Sequence, residues 1–167
     1  MKKELQEELY ERYPEIFEIG RDIPNRDELY EPIHTGITCE SGWYRLIDSL
    51  CFAIMQICRN KQVKPPRATQ IKQKFAGLRF YHSGVDESAY EKISGAIWMA
   101  ESMSHRMCEK CGSTQNIVIT KGWNKTLCGE CYEEYNKERI HDVETYTPEE
   151  FLLVDKNYGV PISTKQE

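Results

Sequence analysis

The amino-acid sequence predicts an α+β fold that is mainly helical and carries an appended four-cysteine finger of the zinc-ribbon or treble-clef type. Two segments with helical spacing of apolar residues and two C-x2-C motifs support this prediction. The length suits one domain with a small appendage. We expect a helical α+β domain over residues 1–106, the finger over 107–141, and a short helix with a C-terminal tail over 142–167.

The N-terminal region is expected to contain one short helix and a long loop. Apolar side chains four residues apart predict an amphipathic helix over residues 2–13, and Pro14 is expected to end or bend it. Residues 20–42 contain several glycines and prolines without a clear period. They therefore predict a loop that crosses the surface.

Two longer helices are expected to form the core of the domain. Residues 43–58 place apolar side chains at steps of three and four, with Ser41 as the expected N-cap. Residues 87–106 show the same steps over their whole length, with Asp86 as the cap. Such a regular period predicts a helix that packs along its length against another helix or a second copy of the chain.

Between these helices, we predict a short helix at about residues 68–75 and a strand over 78–81. The same segment has an unusual charge. From Arg59 to His82 there are seven basic residues and no acidic one, although the net charge of the whole chain is −5. A local field of that sign attracts phosphate-bearing or acidic partners.

Cations alternate with aromatic residues in this segment, which suits the binding of phosphates and bases. The residues expected to bind a ligand are Lys64, Arg67, Lys72, Lys74, Arg79 and Tyr81. A solvated face without a partner is the open alternative for the cations. We expect Phe75 and Phe80 in the core. We expect Arg79 to be half-buried and either paired or poised for a bidentate anion.

The second half of the chain predicts a metal-bound finger. Residues 116–120 predict a strand and residues 132–141 a helix, so the order is knuckle, hairpin, knuckle, helix. That order is typical of a treble-clef finger. Beyond it, Thr147 and Glu150 form a capping box for a short helix, and residues 157–167 predict a loose tail.

The expected metal ligands are the cysteines of two C-x2-C motifs that lie sixteen residues apart: Cys108, Cys111, Cys128 and Cys131. This spacing is typical of a structural zinc site, and four thiolates leave no position on the ion for water or substrate. We therefore expect one structural Zn²⁺, with a dithiol redox pair as the lesser alternative. Cys51 and Cys58 are expected to be core thiols, and Cys39 has no neighbouring base in sequence that would activate it.

The turn between the finger strands offers a second candidate surface. Lys121, Trp123 and Lys125 lie at this tip, and tips of ribbon-type fingers often contact a partner. The competing expectation, which we favour slightly, is a turn whose tryptophan folds back on the hairpin.

Motifs for catalysis are absent from the sequence. It contains no zinc-deaminase pattern, no H-E-x-x-H, no G-x-x-x-x-G-K-[ST] and no G-x-G-x-x-G. We therefore expect a protein that is not an enzyme. A magnesium-dependent nucleotide- or nucleic-acid-processing enzyme stays open as an alternative. It would need carboxylates such as Asp48, Asp86 and Glu87 to converge near the basic segment.

Three stretches of the chain together form a distinctive set: residues 42–48, residues 70–81, and the Cys108–Cys131 finger with Gly122-Trp123 before its second knuckle. They resemble a group of small phage- and prophage-encoded proteins of unassigned role, over residues 39–132. In that group two glycines precede the leucine of the middle motif, whereas here Ala76 takes the first position. The resemblance implies a phage accessory protein in the bacterial cytoplasm, and it implies no reaction.

These observations predict a zinc-stabilised, non-catalytic binding protein, and by analogy with small phage proteins an accessory or anti-host factor. The expected partner is a phosphate-bearing ligand, a nucleic acid or an acidic host protein. The charged N-terminus and the lack of a long apolar run predict a cytoplasmic protein without membrane contact. A structural adaptor that forms a homodimer through the 87–106 helix is the remaining alternative.

Overall fold

The computed structural model describes residues 1–17, 36–137, 139 and 141–154, and these ranges form an α+β protein. The N-terminal part contains α1 (Lys3–Arg12), α2 (Pro14–Phe17), β1 (Ile37–Thr38), α3 (Tyr44–Lys61), β2 (Arg67–Lys74), β3 (Gly77–Ser83) and α4 (Tyr90–Ser104). The C-terminal part contains β4 (Ile117–Thr120), β5 (Thr126–Cys128), α5 (Gly129–Lys137), β6 (Thr145–Tyr146) and α6 (Pro148–Val154). Most of the expected 20–42 loop and the whole 157–167 tail lie outside the described residues.

Helices α1, α3 and α4 agree with the sequence pattern, except at one cap. Pro14 ends α1 and begins α2, since proline suits the first position of a helix. The carboxylate of Asp86 accepts the Ser88 N–H at 2.9 Å in the 3₁₀ turn that leads into α4. The expected cap at Ser41 is wrong, because its hydroxyl accepts the Lys2 N–H instead.

The short helix predicted at residues 68–75 is wrong, since this segment is strand β2, paired antiparallel with β3. A register shift between Ala68 and Gln70 brings Ala68 and Ile71 to the same buried face although they are three residues apart. In sequence, that spacing resembles one turn of a helix. The two-residue turn also gives no sequence signal. Phe75 and Ala76 adopt positive φ angles of 51° and 58°, where glycine or asparagine is usual.

Helix α4 covers the free edge of the first sheet, whose strand order is β1-β2-β3. The Leu78 N–H donates to the Ser104 hydroxyl at 2.8 Å, and the Phe80 N–H donates to the Glu101 carboxylate at 3.0 Å. These bonds satisfy edge groups that would otherwise pair with another chain. The regular period of α4 therefore reflects packing on α3 and β3 within the same chain.

The main core lies between α1, α3, α4 and the first sheet, and Trp43, Ile54, Ile71 and Ile93 are fully buried there. A smaller cluster of Ala76, Ile119 and Phe151 joins the β2–β3 turn to β4 and α6. Side chains before and after residue 106, the predicted domain boundary, therefore pack together. The division of the chain into domains stays a prediction. Within the described ranges, no helix combines the length and apolar character that crossing a membrane requires.

The C-terminal part follows the predicted order, with two differences. The finger helix α5 begins at the second knuckle and ends at Lys137. Strand β6, which the sequence did not indicate, pairs with β4 and gives the second sheet the order β5-β4-β6. The capping box of α6 is confirmed, since Thr147 and Glu150 exchange hydrogen bonds of 2.8 and 3.2 Å.

Candidate metal centre and the surface beside it

The four cysteines of the two knuckles come together in one cluster. Their sulfur atoms all lie within 4.8 Å of one another, and the Sγ atoms of Cys111 and Cys128 are 3.6 Å apart. Four sulfurs around a tetrahedral ion with bonds of about 2.3 Å would be separated by about 3.8 Å. A disulfide would need about 2.05 Å. The arrangement therefore fits a metal site with four thiolate ligands.

Backbone geometry positions the first knuckle. Gly112 has a φ angle of +81°, which favours glycine, and its N–H donates to the Cys108 carbonyl at 2.8 Å. The Cys108 N–H donates to the Ser113 carbonyl at the same distance. Cys128 ends β5 and Cys131 lies in the first turn of α5, so a strand and a helix supply the second pair.

The finger packs closely on the beginning of α3. The Gly42 N–H donates to the Glu109 carbonyl at 2.8 Å, and the Trp43 indole N–H donates to the Met107 carbonyl at 2.9 Å. A Cβ atom at Gly42 would overlap the Cys108 carbonyl oxygen. The first knuckle is therefore built directly onto the main core.

A partly buried ion cluster supports this contact. Glu109, one residue after Cys108, is 1% exposed, and its carboxylate accepts a hydrogen bond from the Lys125 ammonium at 2.7 Å. The same ammonium donates to Glu40 at 2.9 Å. Although burial favours the neutral amine, these two hydrogen bonds raise the pKa of Lys125 to about 12. Lys125 is thus an internal counter-charge and not part of an exposed finger tip.

The basic segment forms an outward face of the β2–β3 hairpin. Lys72 lies directly opposite Arg79, and its ammonium lies 5.4 Å from the centre of the Tyr81 ring. Like charges in such a pair are unfavourable unless they find partners. Arg79 is half-buried near Glu101, with 3.9 Å between Nη1 and the carboxylate. No described carboxylate lies within 4 Å of the ammonium of Lys72 or Lys74.

The finger tip lies beside the turn of this hairpin. The Gln73 amide donates to the Asn124 carbonyl at 2.6 Å, and the buried Thr126 hydroxyl donates to the Ala76 carbonyl at 2.6 Å. The finger tip therefore adjoins the β2–β3 turn at the end of the basic segment. We call the combined region, with Lys72, Lys74, Phe75 and Trp123, the hairpin–tip surface.

Phe75 and Trp123 are more exposed than the sequence predicted. Phe80 is buried as expected, but Phe75 is 42% exposed because it occupies the first position of the β2–β3 turn. Trp123 does not fold back on the hairpin, since 76% of it is exposed. Their positions depend on turn geometry, which the residue pattern alone did not indicate.

The remaining expected ligand-binding residues lie apart from this region or are neutralised. Arg67 begins β2, and at about 3.3 Å per residue it lies some 23 Å along the strand from Lys74. Lys64 is exposed before β2. The Lys121 ammonium pairs with Glu144 at 2.8 Å and lies 4.7 Å from the centre of the Tyr146 ring.

Two of the three carboxylates named for the enzyme alternative, Asp48 and Asp86, have other roles. Asp48 binds Arg12 at 2.7 Å and accepts the Tyr13 hydroxyl at 2.7 Å, and Asp86 serves as a cap. In the part of the chain that the structure describes, the cysteine cluster is the one group of three or more acidic, histidine or cysteine side chains with metal-site geometry. Burial raises the pKa of Cys39 to about 12, which makes it a poor nucleophile.

A separate apolar groove of about 250 Å³ lies between α3 and α4, lined by Leu50, Ala96 and Met103 among others. Met99 and Met103, which line it, are 57% and 46% exposed. This face has no neighbour among the described residues that would cover it.

Comparison with protein-family models, curated proteins and solved structures gives no significant match. The resemblance to phage-encoded proteins therefore stays a prediction.

Proposed function

We propose that the protein is a zinc-stabilised, non-catalytic binding protein that captures a phosphate-bearing ligand on the hairpin–tip surface. One observation supports this above the others. The Lys72 and Lys74 ammonium groups have no described carboxylate within 4 Å, whereas Lys121 and Lys125 each have at least one. Because the chain is acidic overall, attraction of an anion must come from such a local concentration of cations.

The metal's proposed role is structural. Four thiolates suit zinc, and a closed set of four gives no open position for catalysis. The order of knuckle, β4–β5 hairpin, knuckle and α5 supports a treble-clef finger with one Zn²⁺. Since Cys108 and Glu109 contact the start of α3, the ion would also stabilise the docking of the finger.

The resemblance of three stretches to phage-encoded proteins supports a role as an accessory or anti-host factor in the cytoplasm of a bacterial host. Such a factor would bind nucleic acid, a nucleotide signal or an acidic host protein through the same cations. Of these, the alternation of lysines and exposed aromatic rings best suits nucleic acid.

A charge-reversal experiment tests phosphate capture. The Lys72→Glu, Lys74→Glu double variant should bind labelled DNA at least about tenfold more weakly. The slope of log affinity against log salt concentration should fall by the amount expected for the loss of about two phosphate contacts. The matched control is Lys3→Glu with Lys92→Glu, which changes the net charge equally at exposed sites near helix N-termini, where glutamate is tolerated. Fluorescence anisotropy over a salt series measures both quantities. Equal affinities of the two variants, or no binding by the wild-type protein, would refute the proposal.

A structural adaptor that dimerises through α4 is the second candidate, and the exposed apolar face of α3 and α4 favours it. Sedimentation velocity distinguishes the two functions. A dimer that persists at high salt, together with no affinity for DNA or polyphosphate, would replace phosphate capture by the adaptor role.

A further inference from the structure

We infer that the ligand of the hairpin–tip surface is single-stranded nucleic acid, with bases stacked on Trp123 and Phe75 and phosphates bound by Lys72 and Lys74. This inference rests on the proposed function and specifies its ligand. It depends on features of the two turns that phosphate capture alone does not require.

The first feature is the rigid presentation of Trp123. The buried Thr120 hydroxyl donates to the Trp123 carbonyl at 2.7 Å and accepts the Lys125 N–H at 2.9 Å. Gly122 supplies the positive φ angle of the turn. The backbone on both sides of the tryptophan is thus fixed while its ring stays in solvent. A large aromatic ring on a fixed backbone loses little conformational entropy when it binds.

The second feature is a similar arrangement at Phe75. Its positive φ angle turns the ring outward, while the next residue, Ala76, is fully buried in contact with the finger. The Lys74 ammonium lies 5.2 Å from the centre of the Phe75 ring. One short turn thus offers a ring for a base and a cation for the neighbouring phosphate.

The turns that carry these two rings adjoin one another, because Gln73 and Thr126 bond the hairpin to the finger tip. On the finger side, Lys121 and Glu144 neutralise each other. The cations available for phosphates therefore lie on the hairpin, and the most exposed ring lies on the finger. A strand that crosses from one to the other would meet both kinds of contact.

This combination favours a single strand over a duplex. In a duplex the base faces are already stacked on one another, so exposed protein rings cannot reach them without base flipping. In a single strand each base offers a free face, and stacking on an aromatic side chain adds to the binding of phosphates. Lysines alone would bind both forms through their phosphates.

The test compares Trp123→Ala with Trp98→Ala. Trp98 is also strongly exposed, at 66%, but it lies on α4 and belongs to neither of the two turns. We expect Trp123→Ala to weaken binding of an oligothymidine of about 12 nucleotides by about tenfold, and to leave binding of a duplex of equal length unchanged. Trp98→Ala should change neither, and Trp123→Tyr should retain most of the affinity. Anisotropy gives the affinities, and thermal unfolding shows that each variant is folded.

The outcomes separate this inference from the proposed function. If Lys72→Glu with Lys74→Glu lowers the affinity but Trp123→Ala behaves like Trp98→Ala, the inference is wrong and phosphate capture stands. Duplex binding as tight as single-strand binding would also overturn the inference. If neither the lysine pair nor Trp123 affects binding, both proposals are wrong.

Discussion

Lysines have opposite roles in two adjoining regions of this molecule. Lys125 lies in the contact between finger and core, where Glu109 and Glu40 hold its ammonium at 2.7 and 2.9 Å. Lys72 and Lys74 lie on the hairpin beside it, without a described carboxylate within 4 Å. The same charge therefore stabilises the fold in one region and remains available to a ligand in the other. A basic residue in a sequence cannot be assigned to either role until its partners are known.

The largest effect is expected from the metal centre, on which the contact region depends. Cys111 is the exposed member of the cluster, so Cys111→Ser removes little buried surface. We expect this variant to lose its metal and to unfold at least the finger, since structural zinc contributes on the order of 10 kcal/mol to the folding of small fingers. Metal analysis and amide exchange over residues 107–137 measure the two effects.

Cys58→Ala is the control for that experiment, because Cys58 is a buried thiol outside the cluster. It should keep its metal and lose only about 1–2 kcal/mol of stability. A Cys111→Ser variant that is metal-free and yet as well folded as the wild-type protein would show that the finger does not need an ion.

A smaller effect is expected from the internal lysine. Lys125→Met leaves the Glu109 carboxylate buried without its partner, so the free energy of unfolding should fall by about 3 kcal/mol. Lys72→Met with Lys74→Met should change it by less than about 0.5 kcal/mol, because neither ammonium has a described ion-pair partner. Denaturant unfolding measures both changes. Similar losses in the two variants would mean that the hairpin lysines also stabilise the fold.

The features that could be predicted from the sequence are those formed by residues close together in the chain. The steps of three and four in α3 and α4, the capping box at Thr147 and the two C-x2-C motifs each lie within a short window, and the structure places them as expected. Identity and spacing suffice for such features because the physical interaction joins near neighbours in the chain.

The features that were missed depend on distant partners. Strand β2 was mistaken for a helix because a register shift gave its apolar residues a spacing of three, and only pairing with β3 reveals it. Strand β6 has two residues and exists through its pairing with β4. The cluster of Glu40, Glu109 and Lys125 joins residues 85 positions apart. Exposure of Phe75 and Trp123 likewise depends on how two turns dock.

The most direct test of the central claim is amide NMR of the isotope-labelled, zinc-loaded protein titrated with a short oligothymidine. We predict that the signals of Lys72, Lys74, Phe75 and Trp123 shift together and saturate, while those of the four cysteines and of the α3–α4 face do not change. Shifts confined to the α3–α4 face, or none at any concentration, would contradict a scaffold held by metal that binds its ligand on the hairpin–tip surface.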